Sequence, residues 1–149
     1  MSNSKKMKKV LVQGAFDIIN WGHIKALRLA KSYGDYLIVA LNSNELLKLY
    51  KQREAVLPWY QKRDILKELR SVDKVVKADN FSPIQLLIDH DIDVYCITSE
   101  WSSSKKVEFK FMENKPNGEI KILPRFNGVV PTSEIKRILL KEAEEGYLK

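Results

Sequence analysis

The stretch Val10-Leu11-Val12-Gln13-Gly14-Ala15-Phe16-Asp17-Ile18-Ile19-Asn20-Trp21-Gly22-His23 decides how this chain folds. Its apolar run, Val10 to Val12, is a short buried strand that enters a turn of small residues, and a helix from Ile24 to Tyr33 follows directly. A strand feeding a helix through a glycine turn aims backbone N–H groups and the positive end of the helix dipole at one point, where an anion sits. Gly14 lets a ligand approach the main chain, and Gly22 lets the chain bend between Asn20 and His23. Three residues apart, Asn20 and His23 share a face. Both donate hydrogen bonds to a phosphate oxygen, His23 with charge when protonated.

Outward from this stretch, Ile24, Leu27, Leu29 and Ala30 recur at helical spacing, with Lys25, Arg28 and Lys31 outward and Gly34 as the stop. Asp35 to Leu41 is nearly continuous apolar sequence, the pattern of a strand buried on both faces of a parallel sheet. Asn42-Ser43-Asn44 caps a helix that starts over Glu45 to Lys48, and the polar segment Tyr50 to Glu54 reads as a mobile loop. A helix from Pro58 to Ser71, a strand from Val72 to Val76, a helix from Ile84 to His90 and a strand from Ile92 to Thr98 follow. Beyond the loop Ser99-Glu100-Trp101 come a helix over Val107 to Met112, a turn at Lys115 to Gly118 and a strand at Ile120 to Leu123. Thr132-Ser133-Glu134 opens the closing helix, which runs to Glu145. This alternation predicts an α/β fold: a single Rossmann-like domain whose five-stranded parallel sheet carries helices on both faces and binds ligands at the carboxyl ends of its strands.

The 149 residues fit one domain, over 10–145, preceded by a basic tail over 1–9. The formal charge of +7 suits an anionic partner. No basic face interleaved with aromatic residues marks a nucleic-acid surface, so nucleotide phosphates are the more economical partner. Cys96 is alone and lies in the apolar run Val94-Tyr95-Cys96-Ile97, which makes it a buried thiol in a reducing, cytoplasmic setting. No apolar stretch reaches the length of a membrane span, and the basic tail lacks the apolar core of a signal peptide.

The residues Gly14 to His23 also resemble the G-T-F-D-x-x-H-x-G-H signature of the cytidylyltransferase-like nucleotidyltransferases, which have a HUP-type fold, and Trp21 points to the short glycerol-3-phosphate cytidylyltransferases. The resemblance implies an enzyme that joins CTP, bound with Mg2+, to a small phosphorylated alcohol, and a homodimer. It places Gly14, Ala15, Phe16, Asp17 and Gly22 around the nucleotide and His23 on the triphosphate; Asn20 stands where the signature has its first histidine. Asp17 is either a carboxylate near the metal or the side chain of an Asx turn.

Lys51-Gln52-Arg53 is similar to the family's lysine-rich loop, which implies that Lys51 and Arg53 face the acceptor phosphate and the triphosphate. Arg63 and Arg70 match family arginines on the acceptor side; Arg70 lies in Arg70-Ser71-Val72-Asp73, similar to R-x-V-D, where an ion pair with Asp73 is the competing role. Arg125 to Ser133 is similar to R-x-x-G-I-S-T-T and implies that Arg125, Gly128, Thr132 and Ser133 hold phosphates, with Pro131 in place of a serine. Glu100, in Thr98-Ser99-Glu100-Trp101, replaces an aspartate of the family's G-D-D-W or G-x-D-W beside the base and ribose or the metal, and Ser82-Pro83-Ile84-Gln85 lacks the acceptor-side lysine that the family has in that place. These departures leave two further readings: another phosphorylated acceptor (a sugar, aminoalcohol or amino-acid derivative), or a nucleotide-binding protein with weakened or lost turnover.

Overall fold

The computed structural model describes residues 6–147; residues 1–5 of the basic tail lie outside it. Five strands form one parallel sheet: β1 (Lys9–Gly14), β2 (Tyr36–Asn42), β3 (Lys74–Ala78), β4 (Val94–Thr98) and β5 (Glu119–Leu123), in the order β3-β2-β1-β4-β5. Gly14 lies opposite Leu41 and Val12 opposite Cys96, so β1 is central and hydrogen-bonded on both edges.

Alternate residues of the central strands face opposite ways, as the period of two requires. Val10, Val12, Leu37, Val39, Val94 and Cys96 pack under α1 (Trp21–Ser32), through Leu27 and Ala30, and under α3 (Trp59–Lys67), through Leu66. On the other face, Leu11, Ile38, Ala40, Tyr95 and Ile97 meet Leu87 of α4 (Ile84–Asp89) and Met112 of α5 (Lys106–Asn114). Cys96 is buried, and that burial, opposed only by Lys121, pushes its thiol up to about 12. None of the described helices is long and apolar enough to cross a membrane.

Several boundaries differ from the sequence reading. The first helix begins at Trp21, because Asn20 caps it with its side chain. Tyr50 and Lys51 belong to α2 (Asn44–Lys51) instead of a loop, and the left-handed Gln52 ends that helix. The third strand starts at Lys74: Val72 is buried before it, and Asp73 is drawn aside to accept from the Leu37 N–H at 2.8 Å. Ser99–Ser104 forms a 3₁₀ helix, and α6 (Thr132–Glu144) follows Pro131. Lys8, in the expected tail, is held by Glu119 at 2.7 Å.

The strand order reverses between β1 and β4. At such a switch point the connections leave toward opposite faces and open a crevice at the carboxyl ends of the strands.

Candidate active site

A cleft of about 300 Å³ occupies that crevice. Gln13, Gly14, Ala15, Phe16 and Asp17 line it from the end of β1, and His23 from the first turn of α1. Lys51 and Arg53 come from the end of α2 and beyond, Glu100 and Lys105 from the segment after β4, and Thr132 from the start of α6.

The loop after β1 is shaped by close packing. A β-carbon on Gly14 would stand 2.7 Å from the Phe16 ring, so only glycine fits beneath it. Phe16 itself has φ of 46°, a left-handed conformation rare for a bulky residue. Its ring lies 5.2 Å from that of His23. Gly22 is not a bend but part of the helix; a β-carbon there would meet Val129 at 2.8 Å, so the glycine admits the segment before α6.

Asn20 and His23 form a reciprocal cap. The His23 N–H donates to Asn20 Oδ1 at 3.1 Å, and the Asn20 N–H donates to His23 Nδ1 at 3.0 Å. Because Nδ1 accepts, the proton of the neutral ring resides on Nε2. Burial lowers the pKa of His23 from 6.5, so it serves as a neutral donor near pH 7. Asn20 Nδ2 donates to Thr132 Oγ1 at 3.1 Å, and that hydroxyl donates to the Ile18 carbonyl at 3.0 Å. Asn20 thus joins the front motif to α6, and one amide hydrogen remains uncommitted.

Asp17 is buried, and its carboxylate accepts from the N–H groups of Val56 and Leu57 at 2.9 and 3.2 Å. These partners lie some forty positions away, so the side chain does not close an Asx turn of its own. Three cations surround it: Arg53 at 3.1 Å, Lys136 at 3.3 Å and Lys62 at 3.9 Å. Burial alone would raise its pKa, but the two backbone donors, Arg53 and Lys136 hold it down to about 2. One carboxylate against three cations leaves an excess of positive charge beside the cleft, which favours polyphosphate.

The remaining residues singled out in the sequence are scattered. Arg125 pairs with Glu100 at 3.2 Å across an exposed edge of the cleft. Gly128, with φ of 76°, and Ser133 are exposed and do not line the cleft. Arg63 pairs with its neighbour Asp64 and lies over the Trp59 ring, while Arg70 is exposed beyond α3. Asp73 pairs with Lys31 and not with Arg70. The structure also brings in residues that sequence reasoning passed over. Lys62, fully buried, donates to Asn44 Oδ1 at 2.8 Å; its position four before Leu66 on the apolar stripe of α3 was a readable signal. Lys136 follows Thr132 by one helical turn, while Lys105 and Gln13 carried no local signal.

Among the described residues no group of three His, Cys, Asp or Glu side chains could hold a metal ion. Asp17 is already saturated by donors and Glu100 is paired, so these side chains do not fit a metal site built from protein ligands alone.

A parallel α/β sheet with a cationic cleft at its switch point defines a nucleotide-binding protein of the Rossmann-like class. The family model described as cytidylyltransferase-like matches residues 11–138, and the chain belongs to that family. The chain is 40% identical over 131 residues to glycerol-3-phosphate cytidylyltransferase of Bacillus subtilis (strain 168), covering 87% of this chain and 95% of that one. It is 34% identical to FAD synthase of Korarchaeum cryptofilum (strain OPF8), covering 89% and 92%. In fold it is similar to the lipopolysaccharide core biosynthesis protein of Thermoplasma volcanium GSS1, with a TM-score of 0.70, 18% identity and coverage of 81% and 99%.

Proposed function

We propose that this protein transfers CMP from CTP to a small phosphorylated alcohol, with glycerol 3-phosphate as the default acceptor, giving a CDP-activated product and pyrophosphate. An oxygen of the acceptor phosphate attacks the α-phosphorus. A new P–O bond forms, the bond from that phosphorus to its bridging oxygen breaks, and pyrophosphate leaves with the electron pair. No protein nucleophile is needed, so catalysis is alignment and charge stabilisation. His23 donates from Nε2 to the triphosphate, while Lys51, Arg53 and the Asp17-centred cations draw both anions into the cleft. Magnesium bound with CTP, as the family resemblance implies, would supply charge neutralisation to the triphosphate, while Lys51, Arg53 and His23 supply the protein's own share. In the same reading the enzyme is a cytoplasmic homodimer, with Ile138 and Leu139, exposed on adjoining positions of α6, among the apolar side chains it would bury.

One observation carries the reading: the cleft gathers the Gly14 to Asp17 turn, His23 and the cations Lys51, Arg53 and Lys105 at the carboxyl end of β1. A second reading, a nucleotide-binding protein with weak turnover, is favoured by the commitment of the Asn20 side chain to His23 and Thr132. Incubation with CTP, magnesium and a panel of phosphorylated acceptors separates them. Acceptor-dependent pyrophosphate release that stops on chelation supports the transferase; CTP binding with no turnover across sugar, aminoalcohol and polyol phosphates supports the second.

A further inference from the structure

Gln13 ends in an amide whose two halves are unequal in this fold. Its Nε2 donates to Asn42 Oδ1 at 2.8 Å and to the Asn80 carbonyl at 2.9 Å. Asn42 in turn donates its own Nδ2 to the Tyr50 hydroxyl at 3.3 Å, which turns Oδ1 toward Gln13. The orientation of the Gln13 amide is therefore fixed, because a flipped group would set oxygen against the Asn80 carbonyl. What remains is Oε1, buried at the cleft wall and the only buried side-chain polar atom among the described residues without a hydrogen-bond partner. Such an atom calls for a donor that the chain itself does not supply.

A second polar group works on the same loop. Lys105 is buried, donates to the Phe81 carbonyl at 2.5 Å and sits 4.1 Å from the centre of the Phe81 ring. Gln13 and Lys105 thus grip adjacent carbonyls, those of Asn80 and Phe81, and both line the cleft. Tyr50, Phe81 and Trp101, with ring centres 5.4 to 6.3 Å apart, wall the same corner. The ammonium of Lys105 keeps hydrogens for an anion, and Oε1 awaits a donor. A neutral donor suits it better than an ammonium: the cleft also holds Asp17 and Glu100, but both are ion-paired, and Lys51, Arg53 and Lys105 outnumber them.

We propose that Gln13 determines acceptor specificity, its Oε1 receiving a hydroxyl of the acceptor while Lys105 meets the acceptor phosphate. This inference rests on the cleft being a cytidylyltransferase site and adds which acceptors it takes: phosphomonoesters of polyols, in preference to those of amines or simple alkyl chains. A site built to bond a hydroxyl rejects an analogue lacking it far more strongly than an apolar pocket rejects a missing methylene.

The test compares glycerol 3-phosphate, n-propyl phosphate and phosphoethanolamine as acceptors for the unaltered enzyme with CTP, then for Gln13→Leu and Lys105→Met. The expected kcat/KM for glycerol 3-phosphate exceeds that for the other two by about 100-fold or more. In Gln13→Leu the gap to propyl phosphate narrows below about 10-fold, whereas Lys105→Met raises KM for both while KM for CTP holds. Equal use of propyl phosphate by the unaltered enzyme, which needs no variant to fold, overturns the proposal; so does a preference for phosphoethanolamine. Absence of turnover with every acceptor overturns the transferase reading instead. Calorimetric titration of glycerol 3-phosphate into the CTP-loaded protein then reads the corner directly: weaker binding in Gln13→Leu supports the role of Gln13, and binding unchanged by either substitution refutes it.

Discussion

His23 shows how much a single side chain can be constrained by its neighbours. The cap fixes which nitrogen carries the proton, and burial keeps the ring neutral, so its contribution is a hydrogen bond without formal charge. Replacing it by alanine removes that donor and, with it, about 10²-fold or more of kcat, with KM for CTP changing less. The pH profile of kcat carries the signature of the lowered pKa: it stays flat from pH 7 upward and bends only below 6.5. Asp17 gives the residue scale a stability prediction. Its pKa falls from 3.8 to about 2 on folding, so the stabilisation is fully present above 3.8 and is lost as pH falls through 2. The shift corresponds to about 2 kcal/mol. Denaturant midpoints between pH 5 and pH 2 should fall accordingly, and Asp17→Asn should flatten that fall while costing about 3 kcal/mol at neutral pH by leaving its cations unpaired.

At the scale of elements, α1 and α6 are locked together through the first turn of each. Alanine at Gly22 would gain about 1 kcal/mol of helix propensity. The same β-carbon would stand 2.8 Å from Val129 and 3.1 Å from Asn20 Oδ1, and overpacking of that kind costs about 1–3 kcal/mol. The clash wins, so Gly22→Ala lowers the unfolding midpoint and weakens CTP binding, both readable by thermal shift with and without nucleotide. The three central strands were legible in the sequence because Val10 to Val12, Tyr36 to Leu41 and Val94 to Ile97 are continuous apolar runs, the pattern of a doubly covered parallel sheet. Helix edges were not: Trp21, Gly22 and His23 are weak helix formers, and α1 starts there because Asn20 satisfies its free N–H groups. The extension of α2 over Tyr50 and Lys51 was hidden for a related reason, since the polar residues that end the helix resemble those of a loop.

For the whole molecule, the front motif was legible because its residues are adjacent in sequence. The charge cluster around Asp17 was not, because Arg53, Lys62 and Lys136 converge on it from three separate segments. Gln13 escaped notice since the unsatisfied half of its amide exists only once Asn42 and Asn80 are in place. The same convergence predicts a dynamic response. None of α6 is buried, and among its residues Thr132 and Lys136 hold the front loop; a bound triphosphate that engages this region should therefore slow amide exchange in α6 more than in β1, which is already protected at the centre of the sheet. Hydrogen-exchange mass spectrometry with and without CTP measures this, and equal slowing in both elements would count against it.

The bonds from Thr132 to Ile18 and from Lys136 to Asp17 span 114 and 119 positions. A ribosome therefore releases the opening motif long before it has translated the side chains that brace it. On the nascent polypeptide those two contacts close only once the last helix has been made.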